Sequence, residues 1–98
     1  MQYYYVYLLF SVLDKGWYIG YTGNLQKRLF AHNAGKVYST KNRRPLMLIY
    51  YESFLNEADA KAREEYLKSG YGRLQLKSIL KNTILTKESW QSGRMRQS

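Results

Sequence analysis

WYIGYTGNLQKRLFAH, residues 17–32, is the segment from which the order of strands and helices can be predicted. Its first part is rich in aromatic and β-branched side chains, which favour a β-strand. The TGN sequence at 22–24 breaks that strand, and Asn24 is a good N-cap for a helix that stops near Gly35. The stretch therefore predicts a strand, a turn and a helix in immediate succession.

The segment before this stretch predicts its partner strand. Residues 3–13 are dominated by Tyr, Val, Leu and Phe, the composition of a buried or half-buried strand. The DKG sequence at 14–16 is typical of a tight turn, so we expect an antiparallel hairpin. Such a hairpin places Tyr7 and Tyr18 on neighbouring strands.

The segments after the stretch complete the predicted order. A basic loop over residues 36–45 precedes LMLIYYESF at 46–54, which predicts a third strand. Asn56 and the acids after it favour a helix that ends at Ser69–Gly70, and a last helix is predicted from about Arg73 to Leu80.

The predicted fold class is α+β, with the element order β-β-α-β-α-α. We expect a small three-stranded, mostly antiparallel sheet flanked by helices. The predicted domain spans residues 1–82, and residues 83–98 are predicted to form a polar, loosely ordered tail with only Trp90 and Met95 to bury.

Composition restricts the function classes. A chain of 98 residues supports one small core, and its formal net charge of +9 favours polyanionic partners such as nucleic acid or an anionic membrane surface. The absence of cysteine excludes disulfides, thiolate zinc sites and Cys nucleophiles, so a metal would bind oxygen or the imidazole of His32. The apolar stretch Tyr3–Leu13 is too short to cross a membrane and the N-terminus does not have the pattern of a signal peptide, so a cytoplasmic location is expected.

Two pairs of polar residues on the predicted helices could carry chemistry. Arg28 and His32 are one helical turn apart, at the edge of the apolar stripe, where polar groups can face a cleft. Their spacing alone is weak evidence, because it is more often found in an i, i+4 pair at the rim of a helix with a buried histidine whose hydrogen bonds are satisfied. Glu64 and Glu65 lie on different stripes of the second helix, and helical geometry does not choose between them as a ligand for one Mg²⁺ or Mn²⁺. Solvated acids paired with nearby cations are the ordinary alternative.

The chain has eleven tyrosines, and most of them suit the partly solvent-exposed surface of a β-sheet. A tyrosine near Arg28 and a metal ion would nevertheless be biased toward phenolate and could take a proton from water.

Taken together, five segments resemble the GIY-YIG nuclease family, and in particular its small stand-alone bacterial members. The segments are YVY at 5–7, YIGYT at 18–22, LQKRLFAHN at 25–33, GKVYSTK at 35–41 and REEYLKSG at 63–70. The resemblance covers about residues 3–81. The first motif departs from the family in having Tyr5 in place of glycine, and Arg73–Lys77 offers no counterpart of a downstream asparagine that some members use.

The resemblance implies a metal-dependent endonuclease that hydrolyses DNA. By this resemblance Tyr7 and Tyr18 match the two motif tyrosines, Arg28 the catalytic arginine, His32 the His or Tyr position, and Glu64 the metal-binding glutamate. It implies that Tyr7 or Tyr18 activates water, that His32 accepts or relays the proton, and that one divalent ion on Glu64 stabilises the leaving group. Which tyrosine is the base stays open.

The excess of cations suits contacts with a nucleic-acid backbone, which are strongly salt-dependent and largely independent of sequence. Simple solubility is the alternative explanation for them. The cations concerned are Lys36, Lys41, Arg43, Arg44, Lys68, Arg73, Lys77 and Lys81. The alternative functions are a non-catalytic nucleic-acid binding module with a nuclease-like fold, or an adaptor for a larger repair or recombination enzyme.

Overall fold

The computed structural model of the chain describes residues 1–84. Its elements are β1 (Tyr4–Ser11), β2 (Trp17–Thr22), α1 (Leu25–Asn33), a short 3-10 helix (Lys41–Arg43), β3 (Leu46–Phe54), α2 (Glu57–Lys68) and α3 (Gly70–Ile79). The predicted α+β order is confirmed, and the 3-10 helix inside the basic loop is an addition to it. The predicted tail lies outside the described residues from residue 85 onward, and so do Trp90 and Met95.

The sheet has the strand order β2-β1-β3, and both pairings are antiparallel. The central position of β1 follows from its sequence, since six of its residues, Val6–Ser11, are buried. The hairpin turn closes as predicted: Lys15 has a φ of 66°, and the Asp14 carboxylate accepts the Gly16 N–H at 2.8 Å. The register aligns Tyr7 with Gly20 on one side and with Tyr51 on the other.

The two faces of the sheet carry different helices. On one face, the leucines of α1 pack on a cluster of sheet side chains. The cluster comprises Tyr7, Leu9 and Leu46, with Tyr18, Leu25, Leu29 and Leu48 packed against it. Burial of these side chains holds α1 against the sheet.

Polar contacts tie α2 to the opposite face. Val6 is paired with Tyr21 on β2 and with Glu52 on β3, so these side chains share the face that Tyr7 does not use. Tyr21 donates a hydrogen bond to Glu57, and Glu52 accepts two from Arg63, at 2.8 and 3.0 Å. These contacts fix the rotation of α2 about its axis.

The helix ends follow local rules, with one correction. The Asn24 side chain caps α1 as predicted by accepting the Lys27 N–H at 3.0 Å, and Gly35 follows the helix with a φ of +76°. The predicted start of α3 at Arg73 is wrong, because the helix begins at Gly70 with Ser69 as its N-cap. Two early glycines weaken the helical pattern of the sequence there, whereas the Ser69 hydroxyl stabilises it by accepting the Gly72 N–H.

The chain forms two compact units, residues 1–66 and residues from 67 onward. The five residues of the predicted catalytic set all belong to the first unit. No helix among residues 1–84 has both the length and the apolar character that a bilayer crossing needs.

Candidate functional site

The Tyr7 side chain is the centre of the candidate site, and Gly20 leaves the space that this side chain occupies. The two residues are paired across β1 and β2, and the Tyr7 side chain is only 1% exposed. A Cβ atom at position 20 would overlap the ring and the hydroxyl of Tyr7. The glycine of the YIG sequence therefore leaves the space in which the Tyr7 phenol crosses the neighbouring strand. This role of Gly20 is not among those predicted from the sequence, although the predicted hairpin pairs the strand of Gly20 with the strand of Tyr7.

Replacing Gly20 by Ala is expected to lower the free energy of unfolding by about 1–3 kcal/mol, because the added methyl group forces Tyr7 out of its rotamer. Urea unfolding followed by circular dichroism measures this change. Gly70→Ala is the matched control, since a Cβ there meets no atom within 4 Å and should leave stability equal or slightly higher. Equal stability of the wild type and the Gly20→Ala protein would contradict this packing.

A chain of hydrogen bonds leads from Tyr7 into the core. The Tyr7 hydroxyl lies 2.8 Å from His32 Nε2, and His32 Nδ1 lies 2.7 Å from Thr40 Oγ1. His32 and Thr40 are both fully buried. We assign the neutral tautomer in which Tyr7 donates to Nε2 and Nδ1–H donates to Thr40, because a phenol of raised pKa keeps its proton. Thr40 was missed by the sequence analysis, although the GKVYSTK segment contains it.

Tyr18 completes an aromatic group around the same imidazole. Its ring centroid lies 5.2 Å from that of His32 and 6.4 Å from that of Tyr7. Tyr18 is half-buried, and its phenol forms no hydrogen bond within residues 1–84. Tyr7 and Tyr18 thus both border the site, but only Tyr7 has a hydrogen bond to His32.

Arg28 supplies positive charge beside the two buried groups. Its guanidinium lowers the pKa of Tyr7 in part, and it also lowers the pKa of His32. The Nε atom of Arg28 is buried and has no hydrogen-bond partner among the described residues. A buried donor of this kind is costly unless it meets an acceptor, and an anionic oxygen suits a guanidinium best.

Burial dominates the protonation of the site. It raises the pKa of Tyr7, and the negative charges nearby, Tyr18 when ionised and Glu64, act in the same direction. Burial, helped by the Arg28 charge, lowers the pKa of His32 to about 4. At neutral pH the site therefore holds a protonated phenol and a neutral imidazole.

The low pKa of His32 makes stability depend on pH. Between about pH 6.5 and pH 4 the unfolded chain binds a proton on this imidazole and the folded protein does not. The free energy of unfolding should therefore fall as the pH falls through this window, by at most about 1.4 kcal/mol per pH unit. Since His32 is the only histidine, its NMR signal reports the pKa directly. Titration near pH 6.5 would contradict the buried, neutral imidazole.

Glu64 and Glu65 differ in their surroundings. Glu64 on α2 is half-buried, and its charge makes a small contribution to the raised pKa of both Tyr7 and Tyr21. Glu65 is exposed. The neighbouring Arg63 binds Glu52 with two hydrogen bonds, and Tyr50 donates a third to Glu52 at 2.6 Å. This network holds the helical turn that carries Glu64.

The donor set near the site suits a cation that keeps much of its water. Residues 1–84 contain no group of three or more His, Asp or Glu side chains placed to hold a metal ion. Glu64 is a single carboxylate near Tyr7, and Mg²⁺ is commonly bound through one or two carboxylates plus water and substrate phosphate. Glu64 alone therefore offers one carboxylate ligand to a Mg²⁺ or Mn²⁺ ion that keeps most of its water.

The cations predicted to bind a backbone fall into two groups. Lys36, Lys41, Arg43 and Arg44 belong to the basic loop of the first unit. Lys68, Arg73, Lys77 and Lys81 belong to the second unit, where all are exposed.

Two arginines of the basic loop already have contacts within the protein. Arg43 Nε lies 2.6 Å from Asp14 Oδ2, a pairing that lowers the pKa of Asp14 to about 2. Arg44 Nε donates to the Lys41 carbonyl at 2.8 Å, and its guanidinium covers Gly35. Lys36 and Lys41 are exposed. Both arginines therefore help to shape the loop, whatever else they bind.

Comparison with known proteins gives consistent matches. A family model described as the GIY-YIG catalytic domain matches residues 3–78. A UPF0213 protein of Staphylococcus haemolyticus is 40% identical over 80 residues, which cover 81% of this chain and 96% of the relative. A UPF0213 protein of Pediococcus acidilactici is 38% identical over 85 residues, 84% of this chain and 86% of the relative. The solution NMR structure of a UPF0213 protein from Bacillus halodurans matches with a TM-score of 0.50 and 32% identity, over 79% of this chain and 84% of that one.

Proposed function

The chain belongs to the GIY-YIG catalytic domain family, and on this premise we propose that it is a metal-dependent endonuclease that hydrolyses phosphodiester bonds of DNA. The main support for this proposal comes from the groups that surround the Tyr7 hydroxyl. This hydroxyl is hydrogen-bonded to His32, and its pKa responds to Arg28, Tyr18 and Glu64. A phenol, an imidazole, a guanidinium and a carboxylate can together supply the proton transfer, the phosphate binding and the metal ligand that such a hydrolysis would use.

Tyr7 acts as the general base and His32 as its proton acceptor. As water attacks phosphorus, its proton moves to the Tyr7 oxygen while the Tyr7 proton moves to His32 Nε2. The hydrogen bond of 2.8 Å between these atoms supports this transfer. Thr40 then stabilises the imidazolium by accepting the Nδ1 proton in its hydrogen bond of 2.7 Å. Because the pKa of His32 is about 4, the imidazolium readily releases the extra proton after cleavage.

Arg28 binds the scissile phosphate. Its unpartnered, buried Nε is the donor that a phosphate oxygen would satisfy. Negative charge grows on those oxygens as the water attacks, so the contact is stronger in the transition state than in the bound substrate.

Glu64 would hold one Mg²⁺ or Mn²⁺ ion, with water completing much of the coordination. When bound, the ion supplies positive charge that stabilises the leaving oxygen. The carboxylate of Glu64 and the guanidinium of Arg28 both act on Tyr7, which supports their sharing one substrate phosphate.

The cations in the two groups described above hold the DNA backbone. Because each phosphate contact releases counterions, binding should weaken steeply with salt and depend little on sequence. The formal net charge of +9 supports this mode of binding.

The proposal is tested by incubating the purified protein with supercoiled plasmid, single-stranded DNA and branched DNA, each with Mg²⁺, Mn²⁺ or EDTA. We expect cleavage of at least one substrate with a metal ion and none with EDTA. Cleavage that persists in EDTA would contradict the metal-dependent mechanism. Binding without cleavage of any substrate would instead favour a non-catalytic nucleic-acid module.

A further inference from the structure

A groove of about 480 Å³ opens on the first unit and is not used by the proposed mechanism. Its aromatic lining comes from β1, from β3 and from the residue just before β1, and its polar lining comes from residues near the N-terminus and the start of α1. The residues that matter for its chemistry are Tyr3, Tyr5, Tyr51, Leu25 and Gln26. Every side chain that lines it is uncharged.

The groove lies on the face of the sheet that carries Tyr7. Tyr51 is paired with Tyr7 across β1 and β3, so the two side chains project from the same face. Tyr5 precedes Tyr7 by two residues on β1 and also shares that face, about 7 Å along the strand. This separation is within the reach of one nucleotide from a phosphate at the proposed site.

Tyr5 and Tyr51 form the aromatic wall of the groove. Their ring centroids lie 6.0 Å apart at an interplanar angle of 64°, an edge-to-face arrangement that orders both rings. Tyr51 nevertheless keeps 51% of its surface exposed although it is paired with the central strand. An ordered, half-exposed ring has a free surface on which another planar group can stack.

Two further features favour a nucleobase over other planar ligands. The Gln26 amide, which can both donate and accept hydrogen bonds as the edge of a base requires, lines the same groove. A chain of net charge +9 attracts polyanions, and no carboxylate lines the groove to repel the backbone that a base would bring with it.

We propose that this groove is a subsite that stacks one unpaired nucleobase of the substrate strand on Tyr51, next to the phosphate that is cut. Tyr5 is the wall that orients the Tyr51 ring. The proposal rests on the proposed nuclease function, because that function places a phosphate beside Tyr7. Stacking on an aromatic ring tolerates any base, so the subsite would favour unpaired strands without reading their sequence.

A binding measurement without cleavage tests the subsite. Oligonucleotides that carry one abasic position, moved stepwise along the strand, are titrated against the wild type and Tyr51→Leu in EDTA. We expect Tyr51→Leu to weaken binding of the intact oligonucleotide about tenfold. With the abasic position in the subsite, the same substitution should have almost no effect. Tyr51→Trp should retain binding, and Tyr71→Leu, which alters an 80%-exposed tyrosine outside the groove, should show no coupling to any abasic position.

The outcomes separate the subsite from the nuclease function. Equal weakening by Tyr51→Leu at every abasic position would overturn the subsite, even if the wild type cleaves DNA with Mg²⁺. A dimer in sedimentation that Tyr51→Leu dissociates would overturn it in favour of a second copy of the chain. Failure of the wild type to cleave, with the coupling intact, would overturn the nuclease function and the neighbouring cut phosphate, but it would leave base stacking on Tyr51 supported. Thermal unfolding of each variant confirms that it is folded.

Discussion

Glu64→Gln is expected to lower the single-turnover rate of DNA cleavage by about 10³-fold. The amide keeps the volume of the side chain but removes the negative charge that a divalent ion requires. A loss of several kcal/mol of transition-state stabilisation corresponds to this factor. Binding of DNA should change little, since the cations that hold the backbone are untouched.

Glu65→Gln is the matched control for this prediction. It makes the same chemical change at the next position of α2, on a side chain that is exposed. We expect its cleavage rate to stay within about twofold of the wild type, because surface substitutions away from a site have small effects. If the two variants cleave equally well, Glu64 is not the metal-binding residue.

Tyr7→Phe is expected to lower the cleavage rate by about 10²- to 10⁴-fold, the range typical of a lost general base. The ring can still lie over Gly20, so the fold should persist. The lost hydroxyl leaves His32 Nε2 without its partner, and we expect a destabilisation of about 1–3 kcal/mol in urea unfolding. The rate should therefore be measured at a temperature where the variant is fully folded.

Tyr18→Phe separates the two tyrosines. Its phenol has no hydrogen bond within the described part of the chain, so a smaller loss of rate is expected than for Tyr7→Phe, with little change in stability. A larger loss for Tyr18→Phe would show that Tyr18 is the base. The comparison decides a question that the sequence alone left open.

Much of the fold could be predicted because it depends on local patterns. The apolar run of β1, the turn at Asp14–Gly16 and the Asn24 cap each specify their own segment, and all three are confirmed. The start of α3 could not be predicted, because a cap at Ser69 outweighs the low helix propensity of the glycines that follow it. Helix propensity predicts the first residue of a helix poorly where a single capping hydrogen bond determines it.

Less of the site could be predicted from the sequence, because the site depends on contacts between segments that are distant in the chain. Thr40 follows His32 by eight residues, yet its role requires that the basic loop fold back onto α1. The pairing of Tyr51 with Tyr7 depends on the register of β3, and the choice between Glu64 and Glu65 depends on how Arg63 and Glu52 set the rotation of α2. Motif resemblance pointed to five residues, but it did not identify the residues that support them.

The most direct test of hydrolysis at this site follows the oxygen atom of the attacking water. A single turnover in water enriched in ¹⁸O, followed by mass spectrometry of the products, should place one ¹⁸O atom on the new terminal phosphate. The Glu64→Gln protein, purified in the same way, should yield no labelled product over the same time. Cleavage without ¹⁸O on the phosphate, or the same labelled yield from the Glu64→Gln protein, would contradict hydrolysis at this site.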